Sequence, residues 1–142
     1  MSDAKGVRED MRCGRHVAVA GGIIFTQKDI REVQLAKGAI AAGIRILLDA
    51  AGIGYDDVAR LHIAGGFGNH MDIGSAAAIG LIPKVLKDRV VSAGNTAGKG
   101  AVKVLADPVF ADTVRRYAAK AVYVELAEGA EFQDYFIEEM GL

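Results

Sequence analysis

Two stretches of the chain share one pattern: an apolar run ends in a turn rich in glycine and asparagine, and a helical stretch follows. The first occupies residues 62–69 (HIAGGFGN) and the second residues 91–98 (VSAGNTAG). Strands that alternate with helices are typical of α/β folds, because parallel strands need a crossover connection. The pattern therefore predicts an α/β fold with at least two parallel strands. Ligands of such folds bind just outside the carboxyl ends of the strands.

The rest of the chain continues this alternation. We predict a β-hairpin over residues 16–26, with Gly21 and Gly22 in its turn because glycine tolerates positive φ. A capping box of Thr26 and Asp29 begins a long helix over residues 27–51, and Gly52 ends it. Further strands are predicted over 59–64, 89–93 and 122–126, and further helices over 72–79, 96–105, 108–120 and 129–140. The result is a mixed sheet with helices on its faces, in a single subdomain over 16–142 after a poorly ordered lead-in over 1–15.

The long helix has two different faces. An apolar stripe at helical spacing predicts its buried side: Val33, Ala36, Ile40, Gly43, Ile44, Leu47 and Ala51. The opposite face holds Arg31, Gln34, Lys37, Gly38, Ala41 and Arg45. Because Gly38 and Ala41 are small, we predict a shallow open spot there, where another group can approach. On the last helix, Phe132, Tyr135, Phe136 and Met140 are predicted to point inward.

Charge and composition exclude several classes of protein. Seventeen basic and 18 acidic residues give a net charge of -1, which argues against a nucleic-acid binder. No uncharged run approaches the ~20 apolar residues of a membrane-spanning helix, so no membrane partner is expected. The single cysteine, Cys13, cannot form an intramolecular disulfide or hold zinc or an iron–sulfur cluster by itself. A reducing, cytoplasmic location is therefore expected.

Familiar site motifs fail on their spacing. Gly94 and Gly98 are separated by three residues where a P-loop needs four, and Gly100 stands where the P-loop hydroxyl belongs. The glycines at 65–68 miss the dinucleotide fingerprint. His16, His62 and His70 lack metal-ligand spacing, so no metal ligand and no catalytic residue is predicted. The two strand-end turns allow two interpretations. They are either tight turns that bind no ligand, or a site where glycines and helix amides approach a nucleotide.

Four segments, in this order, resemble the C-terminal part of the reductive activators of corrinoid proteins. They are residues 26–40 (TQKDIREVQLAKGAI), 63–69 (IAGGFGN), 79–83 (IGLIP) and 94–101 (GNTAGKGA). The activators are ferredoxin-like ATPases of the superfamily of acetate and sugar kinases, heat-shock proteins and actin (ASKHA). The resemblance covers the chain from about Ile23 onward. It implies one half, the RNase H-like lobe, of an actin/heat-shock/sugar-kinase-type nucleotide-binding domain.

The resemblance also implies a site and a cofactor. Segment 63–69 is similar to the superfamily's adenosine motif, and the helix of Gln34 and Lys37 is similar to the one that flanks the adenine or ribose. Gly94 and Asn95 open a segment similar to the second connecting motif. The implied nucleotide-binding residues are Gln34, Lys37, Gly38, Gly65, Gly66, Phe67, Gly68, Asn69, Gly94 and Asn95. The implied cofactor is ATP, with magnesium held mostly by parts absent from this chain.

Other family features have no counterpart in the sequence. These are the Asp-Gly-rich phosphate hairpins, the catalytic carboxylate and the cysteine cluster of the ferredoxin domain, so no iron–sulfur cluster is expected here. Such a fragment would hold the adenosine side of ATP without hydrolysing it. It would act with the rest of an activator chain on a corrinoid protein or corrinoid-dependent methyltransferase of one-carbon metabolism, where cob(II)alamin is reduced to cob(I)alamin.

Two alternatives stay open. One is a protein-interaction module that docks a corrinoid or methyltransferase partner without binding ATP, and the other is a structural remnant. Because a missing lobe leaves apolar surface exposed, we also expect a homodimer or higher oligomer. The edge of the hairpin at 16–25 is the predicted contact.

Overall fold

The chain begins with a three-stranded antiparallel sheet. The computed structural model describes residues 7–10, 14–18, 20–66, 68, 70–126 and 129–141. Strands β1 (Val7–Asp10), β2 (Gly14–Ala18) and β3 (Ile24–Thr26) follow one another in the sheet, with Val7 opposite Val17 and His16 opposite Thr26. A 3-10 turn at Ala20–Gly22 joins β2 to β3, and φ is positive at Gly21 (69°) and Gly22 (78°). The predicted hairpin is confirmed.

Strand β1 was not anticipated. It lies inside the segment 1–15, which the sequence predicts to be a poorly ordered lead-in, and it pairs with β2 along its whole length. Its four residues, VRED, alternate weakly and carry three charges, so their pattern alone does not indicate a strand. The antiparallel neighbour supplies the ladder hydrogen bonds that the local sequence does not predict. Cys13 lies outside the described residues.

Helix α1 (Gln27–Ala51) has the bounds that its caps predict. The Asp29 N–H donates to the Thr26 hydroxyl at 3.2 Å, and the Asp29 carboxylate accepts from the Thr26 N–H at 2.8 Å. The Thr26 hydroxyl also donates to the Asp29 carboxylate at 2.6 Å, and this bond, followed by the one from the Thr26 N–H, lowers the pKa of Asp29. At the other end Gly52 adopts the left-handed conformation, which glycine reaches without a steric cost.

The two predicted strand–turn–helix stretches form a two-stranded parallel sheet. Strand β4 (Leu61–Ala64) pairs with β5 (Val90–Gly94), and the register shifts between Ile63 and Ala64. Along the chain, helix α2 (Ile73–Ala78) follows β4 and precedes β5. The Asp72 carboxylate caps it by accepting from the Ser75 N–H at 2.6 Å. Hydrogen bonds to Ser75 lower the pKa of Asp72. A 3-10 helix at Tyr55–Asp57 precedes β4, and another at Lys84–Arg89 precedes β5.

Three more helices complete the fold. They are α3 (Thr96–Ala106), α4 (Pro108–Ala118) and α5 (Ala130–Glu139). Asp107 caps α4 by accepting from the Val109 N–H at 2.9 Å. The strand predicted over 122–126 is wrong: the segment is described and contains no strand. A strand needs a neighbour for its backbone groups, and Val122 and Tyr123 are 85% and 81% exposed.

The core is built largely from small side chains. Ala41, Ala42, Ala76, Ala77, Ile82, Leu86 and Ala111 are its buried apolar members. The tightest packing joins α1 to α5. A Cβ placed on Gly38 would lie 3.1 Å from Met140 Cγ and 3.2 Å from the Phe136 carbonyl oxygen. The contact leaves little room for a Cβ at position 38, and glycine is the residue that lacks one.

The predicted buried side of α1 is therefore partly wrong. Ile40 and Leu47, which belong to the apolar stripe, are 50% and 54% exposed, whereas Lys37, Gly38 and Ala41 on the opposite face are buried. The reason is α5, which packs on the face of small residues. In the described part of the chain, no helix is both long and apolar enough to cross a membrane.

Candidate functional site

The two strand-end turns lie side by side. The Gly65 N–H donates to the Gly94 carbonyl oxygen at 2.9 Å, which continues the β4–β5 pairing into the turns. Both glycines have positive φ, 97° and 65°, so each turn needs a residue without a side chain. Among the described residues, no heavy atom other than those of the chain neighbours lies within 4 Å of a Cβ placed on Gly65 or Gly66. The first turn therefore offers exposed backbone that a ligand can approach closely.

Gly68 is glycine for a different reason. A Cβ at this position would lie 2.3 Å from Ile63 Cγ2, a distance that real side chains do not tolerate. Gly68 is buried, and it lets the loop pack on the strand that precedes it. This contact explains why the position is glycine, and its predicted part in nucleotide binding stays a prediction. Phe67 and Asn69, also predicted to bind nucleotide, lie outside the described residues.

The second turn opens α3. Asn95, predicted to bind nucleotide, is the N-cap of this helix: its side-chain oxygen accepts from the Gly98 N–H at 2.9 Å. Lys99 Nζ lies 3.7 Å from the Cβ position of Gly94. An amine and the first amides of a helix thus face the same turn, an arrangement that favours anions. Lys99 was not among the predicted site residues, although its place in the first turn of the predicted helix at 96–105 is a usable signal.

The face of Gln34, Lys37 and Gly38 is covered, not open. Helix α5 lies on it: the Gln34 side-chain amide donates to the Met140 carbonyl oxygen at 3.2 Å, and the Lys37 amine donates to the Gly141 carbonyl oxygen. Lys37 is only 4% exposed. The prediction of an open spot is therefore wrong. The last carbonyls of a helix lack intrahelical partners, and an ammonium group satisfies them while it complements the helix dipole.

Lys37 also reaches the turn after α2. A Cβ placed on Gly80 would lie 3.1 Å from Lys37 Nζ, and Gly80 has a positive φ of 80°. One buried amine thus stands where α1, the turn after α2 and the end of α5 meet. Nothing in the local sequence predicts this role, because a lysine on a helix face is normally exposed.

An open cavity remains at the N-terminal part of α1. It measures about 340 Å³ and is lined by Arg31, Gln34, Leu35 and Met140. A guanidinium, an amide and two apolar side chains match the needs of a flat, polar-edged ring such as a nucleobase. Arg31 was on the predicted open face but was not selected as a site residue. Arg31 precedes Gln34 by three residues, and this spacing predicts that the two side chains are neighbours on one face of the helix.

Polar contacts hold α5 along α1. Arg45 Nη1 lies 2.7 Å from Glu138 and 3.3 Å from Glu139, and its guanidinium lies 3.7 Å from the centre of the Tyr135 ring. The hydrogen bond to Glu138 raises the pKa of Arg45. The Tyr135 hydroxyl donates to Asp49 at 2.8 Å, and this bond raises the pKa of Tyr135. These groups are structural ties between two helices.

The described residues contain no group of three or more His, Cys, Asp or Glu side chains placed to hold a metal ion. Magnesium needs oxygen ligands, usually carboxylates together with substrate phosphates. Neither described strand-end turn carries a carboxylate.

Comparison with known proteins decides the family. The family model described as the C-terminal domain of RACo, the ASKHA domain, matches residues 4–142. The chain belongs to this family. The family resemblance predicted from four short motifs is confirmed, and so is the α/β fold class, although the described strands form two small sheets.

Two curated relatives and one solved structure show how similar the chain is to known proteins and how much of each it covers. The chain is 40% identical over 115 residues to "Corrinoid activation enzyme RamQ" of Eubacterium limosum, a match that covers 81% of this chain and 19% of the relative. It is 30% identical over 121 residues to "[Co(II) methylated amine-specific corrinoid protein] reductase" of Methanosarcina barkeri, covering 84% of this chain and 22% of the relative. A solved "Reductive activator for corrinoid,iron-sulfur protein" superimposes with a TM-score of 0.82 at 32% identity, over 97% of this chain and 23% of that one. The chain thus spans about a fifth of the length of these relatives.

Proposed function

We propose that this domain holds the adenosine end of ATP for a reductive activator of corrinoid proteins and passes its nucleotide state to the rest of the activator. The observation that carries the proposal is the open turn at Gly65 and Gly66, which a backbone hydrogen bond holds against Gly94. Family membership supports it, because the matching domain is the ASKHA part of such an activator. When bound, ATP supplies the free energy that a reduction of cob(II)alamin to cob(I)alamin requires.

The residues divide into three roles in this proposal. Gly65 and Gly66 allow close approach of the nucleotide, while Lys99 and the first amides of α3 attract its negative charge. Arg31 and Gln34 line the cavity that suits the base. Lys37 and Gly38 support the site from behind by seating α5. Phosphate hairpins, magnesium ligands and the iron–sulfur cluster belong to other parts of an activator.

Titration calorimetry with ATP and ADP tests the proposal on the full chain. Gly66 has open space at its Cβ and no positive φ, so Gly66→Val inserts a side chain into the site without straining the backbone. We expect the unaltered chain to bind nucleotide in the micromolar to millimolar range and Gly66→Val to weaken binding at least tenfold. Gly129→Val is the matched control, because its Cβ also meets nothing closer than 4.0 Å. A folded chain that binds no nucleotide, or a Gly66→Val variant that binds as well as the control, would refute it.

The activator works on a partner in this proposal. We propose that the partner is a corrinoid protein or a corrinoid-dependent methyltransferase of one-carbon metabolism, that the site of action is the cytoplasm, and that the domain self-associates. The second candidate is an interaction module that docks such a partner without ATP. The coverage of the Gln34–Lys37–Gly38 face by α5 is what supports it. The comparisons do not favour it, since the relatives carry names of activators and reductases.

A further inference from the structure

The side-chain amide of Gln34 has a fixed orientation. Its nitrogen donates to the Met140 carbonyl oxygen at 3.2 Å, and a carbonyl oxygen can only accept a hydrogen bond. The opposite orientation of the amide would place two oxygen atoms against each other, so the nitrogen faces Met140. In the described part of the chain, the side-chain oxygen of Gln34 has no hydrogen-bond partner. Gln34 therefore offers a hydrogen-bond acceptor to a molecule that enters the cavity it lines.

The packing of α5 on α1 holds this acceptor in place. Met140 is the C-cap of α5, where the carbonyl groups of a helix lack intrahelical partners. A Cβ placed on Gly38 would lie 3.1 Å from Met140 Cγ, and the next carbonyl, that of Gly141, accepts from the buried Lys37. The orientation of Gln34 thus depends on a contact that exists without a ligand. A group that is already oriented binds its ligand at a lower cost in entropy.

The other groups that line the cavity complement this acceptor. Arg31 carries only hydrogen-bond donors, and it forms no ion pair with any other described residue. Leu35 and Met140 contribute apolar side chains, which suit the faces of a flat ring. The cavity of about 340 Å³ therefore fits a heteroaromatic ring that has a donor and an acceptor close together on its edge.

Adenine has an edge of this kind. Its exocyclic amine is a donor, and the ring nitrogens on either side of it are acceptors. The amine can donate to the Gln34 oxygen while a ring nitrogen accepts from Arg31. A purine that lacks the amine would leave the Gln34 oxygen without a partner. Sites built to bond a ligand's polar group discriminate strongly against an analogue that lacks this group.

We propose that Gln34 selects the base of the bound nucleotide, because its side-chain oxygen accepts a hydrogen bond from the exocyclic amine of adenine. This inference rests on the proposed nucleotide site and names the residue that determines its specificity. A role of Gln34 as nothing more than a tie between α1 and α5 would affect stability but would not distinguish one purine from another.

Two ligands that differ in one group test the inference. Purine riboside 5′-triphosphate has the ring, ribose and phosphates of ATP and lacks only the exocyclic amine. The ratio of the two dissociation constants therefore depends on the edge of the base and not on phosphate contacts. In titration calorimetry of the full chain, we expect ATP to bind about tenfold more tightly than the analogue. This comparison uses the unaltered chain, so it does not depend on the folding of a variant.

The variant Gln34→Met then shows which residue causes the difference. Methionine is similar in length and has no amide, so the variant should bind the two triphosphates equally, with ATP weakened about tenfold. Leu35→Ala is the matched control, because it removes an apolar side chain from the same cavity. We expect Leu35→Ala to weaken both triphosphates while their ratio stays about tenfold. Circular dichroism of each variant separates a change in binding from a loss of folding.

The possible failures of the inference and of the proposed function differ. Equal binding of the two triphosphates by the unaltered chain would overturn the inference, and so would a tenfold preference for ATP that persists in Gln34→Met. Either result leaves the proposed nucleotide site in place if Gly66→Val still weakens both triphosphates. A folded chain that binds neither triphosphate overturns the proposed function together with the inference.

Discussion

Two pairs of helices in this domain show what a helix pair needs in order to be buried. Helices α1 and α5 are joined through a glycine, a buried lysine and an arginine shared by two carboxylates. Helices α3 and α4 also carry glycine and alanine, yet together they bury only Ala111, whereas the first pair buries five residues, all of them on α1. The difference lies in complementary charge: basic groups on α1 meet carbonyl and carboxylate groups on α5, whereas α3 and α4 are both basic. A pair without such partners presents its apolar groups to other molecules.

The largest expected effect comes from the close approach of α1 and α5. Gly38→Val places methyl groups against Met140 and the Phe136 carbonyl, and overpacking of this kind costs about 1–3 kcal/mol or more. Gly100→Val in α3 is the matched control, since a Cβ there meets nothing within 4 Å. Urea denaturation should show a clear loss of stability for Gly38→Val and a much smaller one for Gly100→Val. Equal losses would mean that α5 does not pack on Gly38.

The next effect compares two lysines. Lys37→Met removes the amine that donates to the Gly141 carbonyl and should reduce the free energy of unfolding by about 1.5–3 kcal/mol, the usual net contribution of a hydrogen bond made by a charged group. Lys103→Met removes only an exposed cation–π contact with Phe110 at 4.2 Å, worth about 0.5–1 kcal/mol. Thermal unfolding of both variants measures the order. A larger loss of unfolding free energy for Lys103→Met than for Lys37→Met would mean that the contact between α3 and α4 contributes more to stability than the contact between α1 and α5.

A smaller effect separates two ion pairs. A double-mutant cycle on Arg45 and Glu138 should give a coupling energy toward the upper end of the ~0.2–1 kcal/mol measured for exposed pairs, because the Arg45 side chain is 28% exposed. The cycle on Arg115 and Asp112, whose side chains are 76% and 72% exposed, should give a value near zero. Both cycles use alanine and are repeated in high salt, which should lower the first value more than the second. Equal coupling energies for the two pairs would mean that ion pairing does not explain why α5 packs on α1 more closely than α3 packs on α4.

The smallest expected effect is the loss of stability at low pH when the two aspartate helix caps become protonated. Hydrogen bonds with Thr26 and Ser75 lower the pKa values of Asp29 and Asp72 from the ordinary aspartate value of 3.8, so the stability that they give to α1 and α2 is fully present above that ordinary value and is lost as the pH falls through their folded-state values. Asn95, the cap of α3, does not titrate. The Tm of the unaltered chain should therefore fall more steeply below pH 3.8 than the Tm of Asp29→Asn/Asp72→Asn. Parallel curves would show that these caps contribute nothing in acid.

Local signals predicted most of the fold. The bounds of α1 follow from Thr26, Asp29 and Gly52, and the two strand–turn–helix stretches predicted the parallel pair β4–β5. What failed depends on distant neighbours. Periodicity assigned the buried side of α1 to its large apolar residues, but Gly38 and Ala41 let α5 pack on the other side. The alternation at 122–126 suits a strand, but no described strand lies beside it. For the site, the two glycine turns lie side by side because their strands pair, while the burial of Lys37 depends on residues about a hundred positions later.

The bond between Lys37 and the Gly141 carbonyl joins residues 104 positions apart. During synthesis, α1 leaves the ribosome long before α5 exists, so its small-residue face and its buried amine stay hydrated while the intervening segments are made. Contacts between positions this distant form late and slow the final assembly of a chain. Of the described helices, the one that is synthesised last is therefore the one that buries the small-residue face of the long helix α1.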